Sequence, residues 1–461
     1  MEMKIPMKAT LAGILCILLL GPVGSASAKV SAQEAEQLKS TLTPFGAEKA
    51  GNADGTIPAW DGGYTTPIPG FVNGGRRPDP FKEDKVLFSI TAKNVDQYAD
   101  KLSEAQKALL KKYPDTYRID VYKTRRTAAA PQWVYDNTHT NATFAYLEGD
   151  DIKGAYGGIP FPIPKSGEEV MWNHLLRWRP SAWHFYTDAL LGTSSGKLVV
   201  LNKVEAEQMM PYYIQGKTLE DYLKDWNGEF WMIRLITNAP PIRAGEGIVG
   251  RENLAGKRTR SWVYLTGQRR VRQLPVSCCD TPTPALAGVS FFDETECFSG
   301  SEALQRFDWK IVGKKEMYIP YNCNKNLEPR DVYKVVLPHH LNPDYVRWEL
   351  HRVWVVEATL RKGQRHQCTR NLYYLDEDTW ICVLSDRYDA NGGLWRSGYE
   401  LPMVMPDVPA VVSLPWGFYD LQSNTWAASN LYNAYDEQMK IMPPYRDMVF
   451  TPAALQGEGV R

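Results

Sequence analysis

The chain has 461 residues, 53 basic and 53 acidic side chains, and a formal net charge of zero. Its 44% hydrophobic and 23% charged content is ordinary for a globular protein and excludes a disordered or collagen-like chain. The neutral balance also excludes nucleic acid as the expected partner, since phosphates demand a basic footprint. Aromatic content is high, with 15 Trp and 25 Tyr, which suits sheet faces and half-wet grooves because these rings combine apolar area with one polar handle.

Residues 1–28 read as a cleavable export signal. Lys4 and Lys8 precede an apolar run from Leu11 to Leu20 that is too short to span a bilayer, and Ala26-Ser27-Ala28 offers a small-residue cleavage site. Leu15 is too bulky for a lipid-attachment motif at Cys16, so the expected product begins at Lys29 without an anchor.

Residues 29–180 read as a helical and irregular region. Ser31 with Glu34 forms a capping box for a helix reaching Leu42, and Ser103 precedes a helix stopped by Pro114. Pro131 opens a helix to about Leu147, and Ser166 with Glu169 opens another over 167–177. Between them, 51–63 and 156–167 carry too much Gly and Pro for regular elements.

Residues 181–461 change period from helical to two. Along 347–361, Trp348, Leu350, Trp354, Val356, Ala358 and Leu360 share the even positions while charged residues crowd the odd ones, as in a half-buried antiparallel strand. Hairpins follow, at Lys362-Gly363, Asp376-Glu377-Asp378 and Asn391-Gly392-Gly393, with another over Thr266-Gly267. The expected fold is α+β but mainly β: one large curved antiparallel sheet, a half-barrel, with the N-terminal helices as its lid.

Six cysteines lie beyond the leader: Cys278, Cys279, Cys297, Cys323, Cys368 and Cys382. An even number suits disulfides in an oxidising compartment, with the connectivity open. Adjacent Cys278 and Cys279 are not expected to bridge each other, and one of them could reach Cys297. Pairing Leu375 with Thr379 would leave Cys368 and Cys382 roughly 13 Å apart, too far to bond.

Several motif spellings fail on context. Gly192-Thr193-Ser194-Ser195-Gly196 fits a nucleophile elbow, but a strand rather than a helix is expected to follow it. Gly245 to Gly250 fits a dinucleotide fingerprint without the helix that would meet a pyrophosphate. Asn52, Asp54 and Gly55 mimic part of a calcium loop that lacks its first and last carboxylates. His351 and His366 are not expected to converge on a metal. No catalytic residue, metal site or cofactor is therefore assigned. One charged feature remains: Lys257, Arg258, Arg260, Arg269, Arg270 and Arg272 load a single hairpin, as an anionic headgroup or acidic partner would require.

The segments LTPFGAEKAGNADGTIPAWDGG (42–63), GGIPFPIPKSG (157–167), GKKEMYIPYN (313–322), HLNPDYVRWELHRVWVVEATL (340–360) and FTPAAL (450–455) resemble the signatures of a proteobacterial domain-of-unknown-function family labelled outer-membrane lipoprotein-sorting protein. That family is similar in fold to the Lol-type periplasmic carriers, LolA and LolB. The resemblance implies a periplasmic protein, free or held at the outer membrane. It also implies a hydrophobic small molecule or lipid as ligand, with an RND-type inner-membrane exporter and an outer-membrane protein as partners.

A sixteen-carbon chain costs roughly 13 kcal/mol to leave bare in water, at about 0.8 kcal/mol per methylene. A carrier therefore needs an apolar container. Its expected lining is Trp262, Tyr264, Trp348, Leu350, Trp354, Val356, Leu360, Trp380 and Leu384, although the same residues suit a dry core equally well. An enzyme acting on an apolar substrate and a non-catalytic scaffold of an envelope complex are the alternative functions.

Overall fold

The computed structural model describes residues 30–458; the proposed leader lies outside the described residues. The N-terminal segment holds α1 (Ala32–Ala35), β1 (Phe88–Ile90), α2 (Glu104–Lys112), β2 (Ile119–Val121), α3 (Gln132–Phe144), the hairpin β3 (Tyr146–Glu148) and β4 (Asp151–Lys153), and α4 (Gly167–Leu175). Then come β5 (Ala182–Gly192), β6 (Leu198–Met209), α5 (Leu219–Trp226), β7 (Glu229–Ala239), β8 (Gly247–Asn253), β9 (Arg260–Leu265) and β10 (Arg270–Gln273). After an irregular stretch and α6 (Ser301–Leu304) follow β11 (Phe307–Pro320), β12 (Trp348–Leu360), β13 (Arg370–Asp376) and β14 (Cys382–Tyr388). The chain closes with β15 (Leu394–Met405), β16 (Ala410–Asp420), β17 (Thr425–Leu431), β18 (Met439–Ile441) and α7 (Pro452–Glu458).

Local chemistry explains where the helices start. The Ser103 hydroxyl accepts from the Gln106 amide while the Gln106 side chain accepts from the Ser103 amide, so two orphan donors of α2 are satisfied reciprocally. Ser31 and Glu34 make the same exchange, yet α1 lasts four residues and continues as a 3₁₀ turn over Glu36–Lys39. Leu42 instead bridges to Glu48, which ends the expected helix early.

Sixteen strands form one sheet in the order β1-β2-β12-β13-β14-β15-β16-β17-β5-β6-β7-β8-β9-β10, with β11 also on β12 and β18 also on β5. Pairing is antiparallel except at β2–β12, and the sheet is an open, curved half-barrel. Residues from both sides of position 180 share the two largest apolar clusters; Val134, Trp172, Tyr373 and Met403 belong to one of them.

Two expectations about this region are corrected. Cys278 and Cys279 do bridge each other, with Cα atoms 3.7 Å apart and Cys279 in the left-handed region at φ +63°. Cys297, Cys323, Cys368 and Cys382 are buried free thiols. The β13–β14 register also differs: Leu375 pairs with Cys382 and Tyr374 with Leu384 across a bulge, because Trp380 at φ +61° lengthens the turn.

Candidate functional site

A mostly apolar cavity lies on one face of β5–β8, where the register puts small and large side chains side by side. Phe185, Ala206, Leu235 and Ile248 stand in one cross-strand row, and Gln208, Ile233, Gly250 and Ser261 in the next. Ala206, Gly250 and Ser261 leave space that larger residues would fill. A bulge at Phe230 brings both Phe230 and Trp231 to the cavity wall. The space open to the centre of a water molecule is about 150 Å³. An apolar cavity of that size accommodates a benzene ring, so a longer tail needs its cover to shift.

The cover is the irregular segment 277–300. It contributes Cys278, Cys279, Leu286, Phe292 and Phe298 to the wall, so the disulfide faces the cavity. Ion pairs hold this segment down. Arg387 donates to the Asp293 carboxylate at 2.9 Å and to the Cys297 carbonyl at 2.9 Å, and His366 meets Asp293 at 2.8 Å. Burial opposes ionisation of Asp293, yet Arg387 and His366 outweigh it and hold the carboxyl below its usual range. Arg396 donates to Glu294 at 2.6 Å. The N-terminal helices thus form only part of the lid: α4 contributes Leu175 to the wall, and this later segment supplies most of the closure.

None of the nine residues expected to line a cavity lines this one. Val263 pairs with Ile248 on the cavity side, so its neighbours Trp262 and Tyr264 point to the opposite face. There they pack with Phe450 and Leu455 of the C-terminal segment. Trp348, Leu350 and Leu384 lie in a second cluster with residues of β1, α2 and β2, and Trp348 and Leu384 flank a much smaller pocket. Trp354, Val356, Leu360 and Trp380 belong to the cluster that holds α3 and α4. Trp354 stacks on Trp380 at 6.1 Å, with Lys314 4.7 Å above its ring. Period two reveals which residues share a face of one strand, but not which face the chain later covers.

The cavity also has polar walls that sequence reasoning missed. Glu252 is raised to about 6 by burial, against hydrogen bonds from Ser301 and Thr259. Arg177 and Arg179 line the other end and both donate to Glu296, Arg179 at 2.9 Å. The available signal was Arg177-Trp178-Arg179, where alternation puts both arginines on one side.

The remaining candidates stand as follows. All six cations are exposed, but Lys257 and Arg258 fall in a 3₁₀ turn ahead of the hairpin, and only Arg260, Arg269, Arg270 and Arg272 lie on β9–β10 and its turn; Arg260 lies 3.6 Å from Glu229. Ser194 is exposed in the β5–β6 loop, and Gly245–Gly250 belongs to the β7–β8 hairpin, so neither precedes a helix. Asn52 accepts from the Ile57 amide and Asp54 from Thr56, as in an ordinary side-chain-stabilised turn. His351 approaches Asp376 and Asp378, a grouping with the dimensions of a metal site. Its nitrogens are taken by Glu349 and Asp376, each at 3.2 Å, and Asp378 by Arg126, so the group is a buried ion-pair network. No helix among the described residues is long and apolar enough to cross a membrane.

The architecture is an open half-barrel with a mostly apolar cavity on one face, covered by a long irregular strap. The chain belongs to the family described as Protein of unknown function (DUF1329), whose model matches residues 89–456. It is 40% identical over 466 residues to an uncharacterized protein of Pseudomonas aeruginosa, covering 97% of this chain and 98% of that one. A solved DUF1329 family protein from Desulfovibrio piger is similar at 13% identity and a TM-score of 0.38, over 60% of this chain and 92% of its own. A domain from Vibrio parahaemolyticus, provisionally described as outer membrane lipoprotein-sorting, is similar at 10% identity and 0.40, also over 60% and 92%.

Proposed function

We propose that this chain is a periplasmic carrier that binds a hydrophobic molecule in the β5–β8 cavity and moves it between the inner and outer membranes. The observation that supports this reading is the cavity itself, with Phe185, Ile233, Leu235 and Ile248 on the sheet side and Leu286 and Phe298 on the cover. A chain folding only for stability would fill such a space, because a void forfeits contacts on every side. The export-like leader supports the compartment. The exposed basic hairpin supports a partner or membrane surface of negative charge, on which an exporter or an outer-membrane protein could exchange the ligand. The test is native mass spectrometry and organic extraction of protein purified from the periplasm. The expected result is a copurifying apolar molecule that is lost in Ala206→Phe, where a ring fills the space between Phe185 and Leu235. Wild-type protein that stays empty and binds no added apolar compound would refute the reading.

A further inference from the structure

Charge at one end of the cavity does not balance. Trp178 is anchored away from the cavity: its indole donates to the Pro409 carbonyl at 2.9 Å, and its ring packs edge-on against Trp133 and Tyr213. That anchoring turns Arg177 and Arg179, its neighbours in the chain, to the cavity side, where they line the wall. Both are more than nine-tenths buried, and both lean on the single carboxylate of Glu296.

The other titratable groups nearby supply no second anion. His174 accepts the Cys382 amide at Nδ1 and donates from Nε2 to the Phe298 carbonyl at 2.9 Å, which fixes a neutral ring. Glu400 is fully buried, lies 3.8 Å from Arg177, and has no hydrogen-bond partner on either carboxylate oxygen. Burial, with Glu296 repelling it, raises its pKa over the pull of Arg177 and favours the protonated acid. Tyr213 donates its hydroxyl to the Leu176 carbonyl and stays neutral. Two guanidinium groups thus face one carboxylate. Arg179 uses Nη1 on Glu296, while its Nε and Nη2 meet no protein acceptor among the described residues. A buried, under-paired cation is costly unless something anionic meets it.

The geometry points to a ligand with one anionic head, a carboxylate, held by Arg179 beside Arg177 while its apolar tail lies along Phe185, Leu235 and Ile248. The cavity would therefore select an acidic amphiphile of fatty-acid type over a neutral hydrocarbon or a cationic one. The Nε and Nη2 of Arg179, which face the cavity without a protein acceptor among the described residues, match the two oxygens of a carboxylate.

This inference rests on the carrier reading, and calorimetric titration of delipidated full-length mature protein with decanoate, decan-1-ol and decyltrimethylammonium separates the two. Decanoate is expected to bind about tenfold or more tighter than the alcohol, in line with a charge-assisted pair, and the ammonium not to bind. Arg179→Gln should bring decanoate down to the alcohol's affinity and leave the alcohol unchanged. Glu400→Gln should leave the preference intact, because that side chain is already neutral. Equal binding of acid and alcohol by the wild type overturns the inference and keeps the carrier reading. Binding of neither overturns both. A preference that arises only in Glu400→Gln shows that Glu400 is the missing anion and also overturns it. Should Arg179→Gln fail to fold, the wild-type comparison still decides.

Discussion

At His351, two carboxylates compete with burial for the imidazole. Burial disfavours its charge, yet hydrogen bonds to Asp376 and Glu349 outweigh the penalty and lift its pKa from 6.5 to about 9. A group whose folded pKa is raised stabilises fully below its unfolded value and loses that contribution as pH climbs through the folded one. Stability is therefore expected to fall between pH 6.5 and 9, by on the order of 3 kcal/mol. Urea unfolding across that window should show the slope, and His351→Gln should flatten it. Trp354 gives the second expectation at this scale. It stacks on Trp380 away from the cavity, so Trp354→Ala should cost about 3–5 kcal/mol of stability while ligand affinity stays within about twofold. A binding loss larger than the stability loss would place the ligand on β12 instead of β5–β8.

Among the elements, the cover segment matters most, because it is irregular yet pinned by charges. Asp293 carries much of that anchoring through Arg387 and His366. Asp293→Asn keeps the shape but leaves Arg387 buried without its counter-charge, an expected loss of about 3–5 kcal/mol. Hydrogen exchange is expected to speed up over 277–300 ahead of β5–β8, since the cover opens locally. Uniform acceleration across the sheet would show that cover and sheet unfold as one unit. The hairpin elements were legible beforehand: the turn at Thr266-Gly267 and the 347–361 strand appear where alternation put them, although that strand, expected to be half-buried, is covered on both faces because Glu349 and His351 pair inside the fold. The β13–β14 register was not, because a bulge and a left-handed Trp380 leave no mark that alternation can count.

For the whole molecule, binding and folding are linked. A ligand that occupies the closed cavity stabilises the folded chain by about 2.7 kcal/mol at a hundredfold excess over Kd. A dose-dependent rise in Tm with decanoate is expected, and it should vanish in Ala206→Phe. A Tm that rises equally in that variant would mean the amphiphile binds outside the cavity.

From local sequence alone, residues 30–458 already show the class of fold, the helix starts at Ser103 and Ser166, the strand–loop–strand setting of Ser194, and the family. All of these rest on neighbours within a few positions or on short signatures. The cavity was beyond reach of the sequence. Phe185, Ala206, Leu235 and Ile248 lie far apart in the chain and meet only through three strand registers. Whether Trp262 faces a ligand or the C-terminal helix depends on where residues 445–458 fold back. The pairing of Arg177 and Arg179 with Glu296 likewise depends on a strap that returns from more than a hundred positions away. Alternation is local and sets which side chains share a face, but the tertiary contacts determine which face stays open.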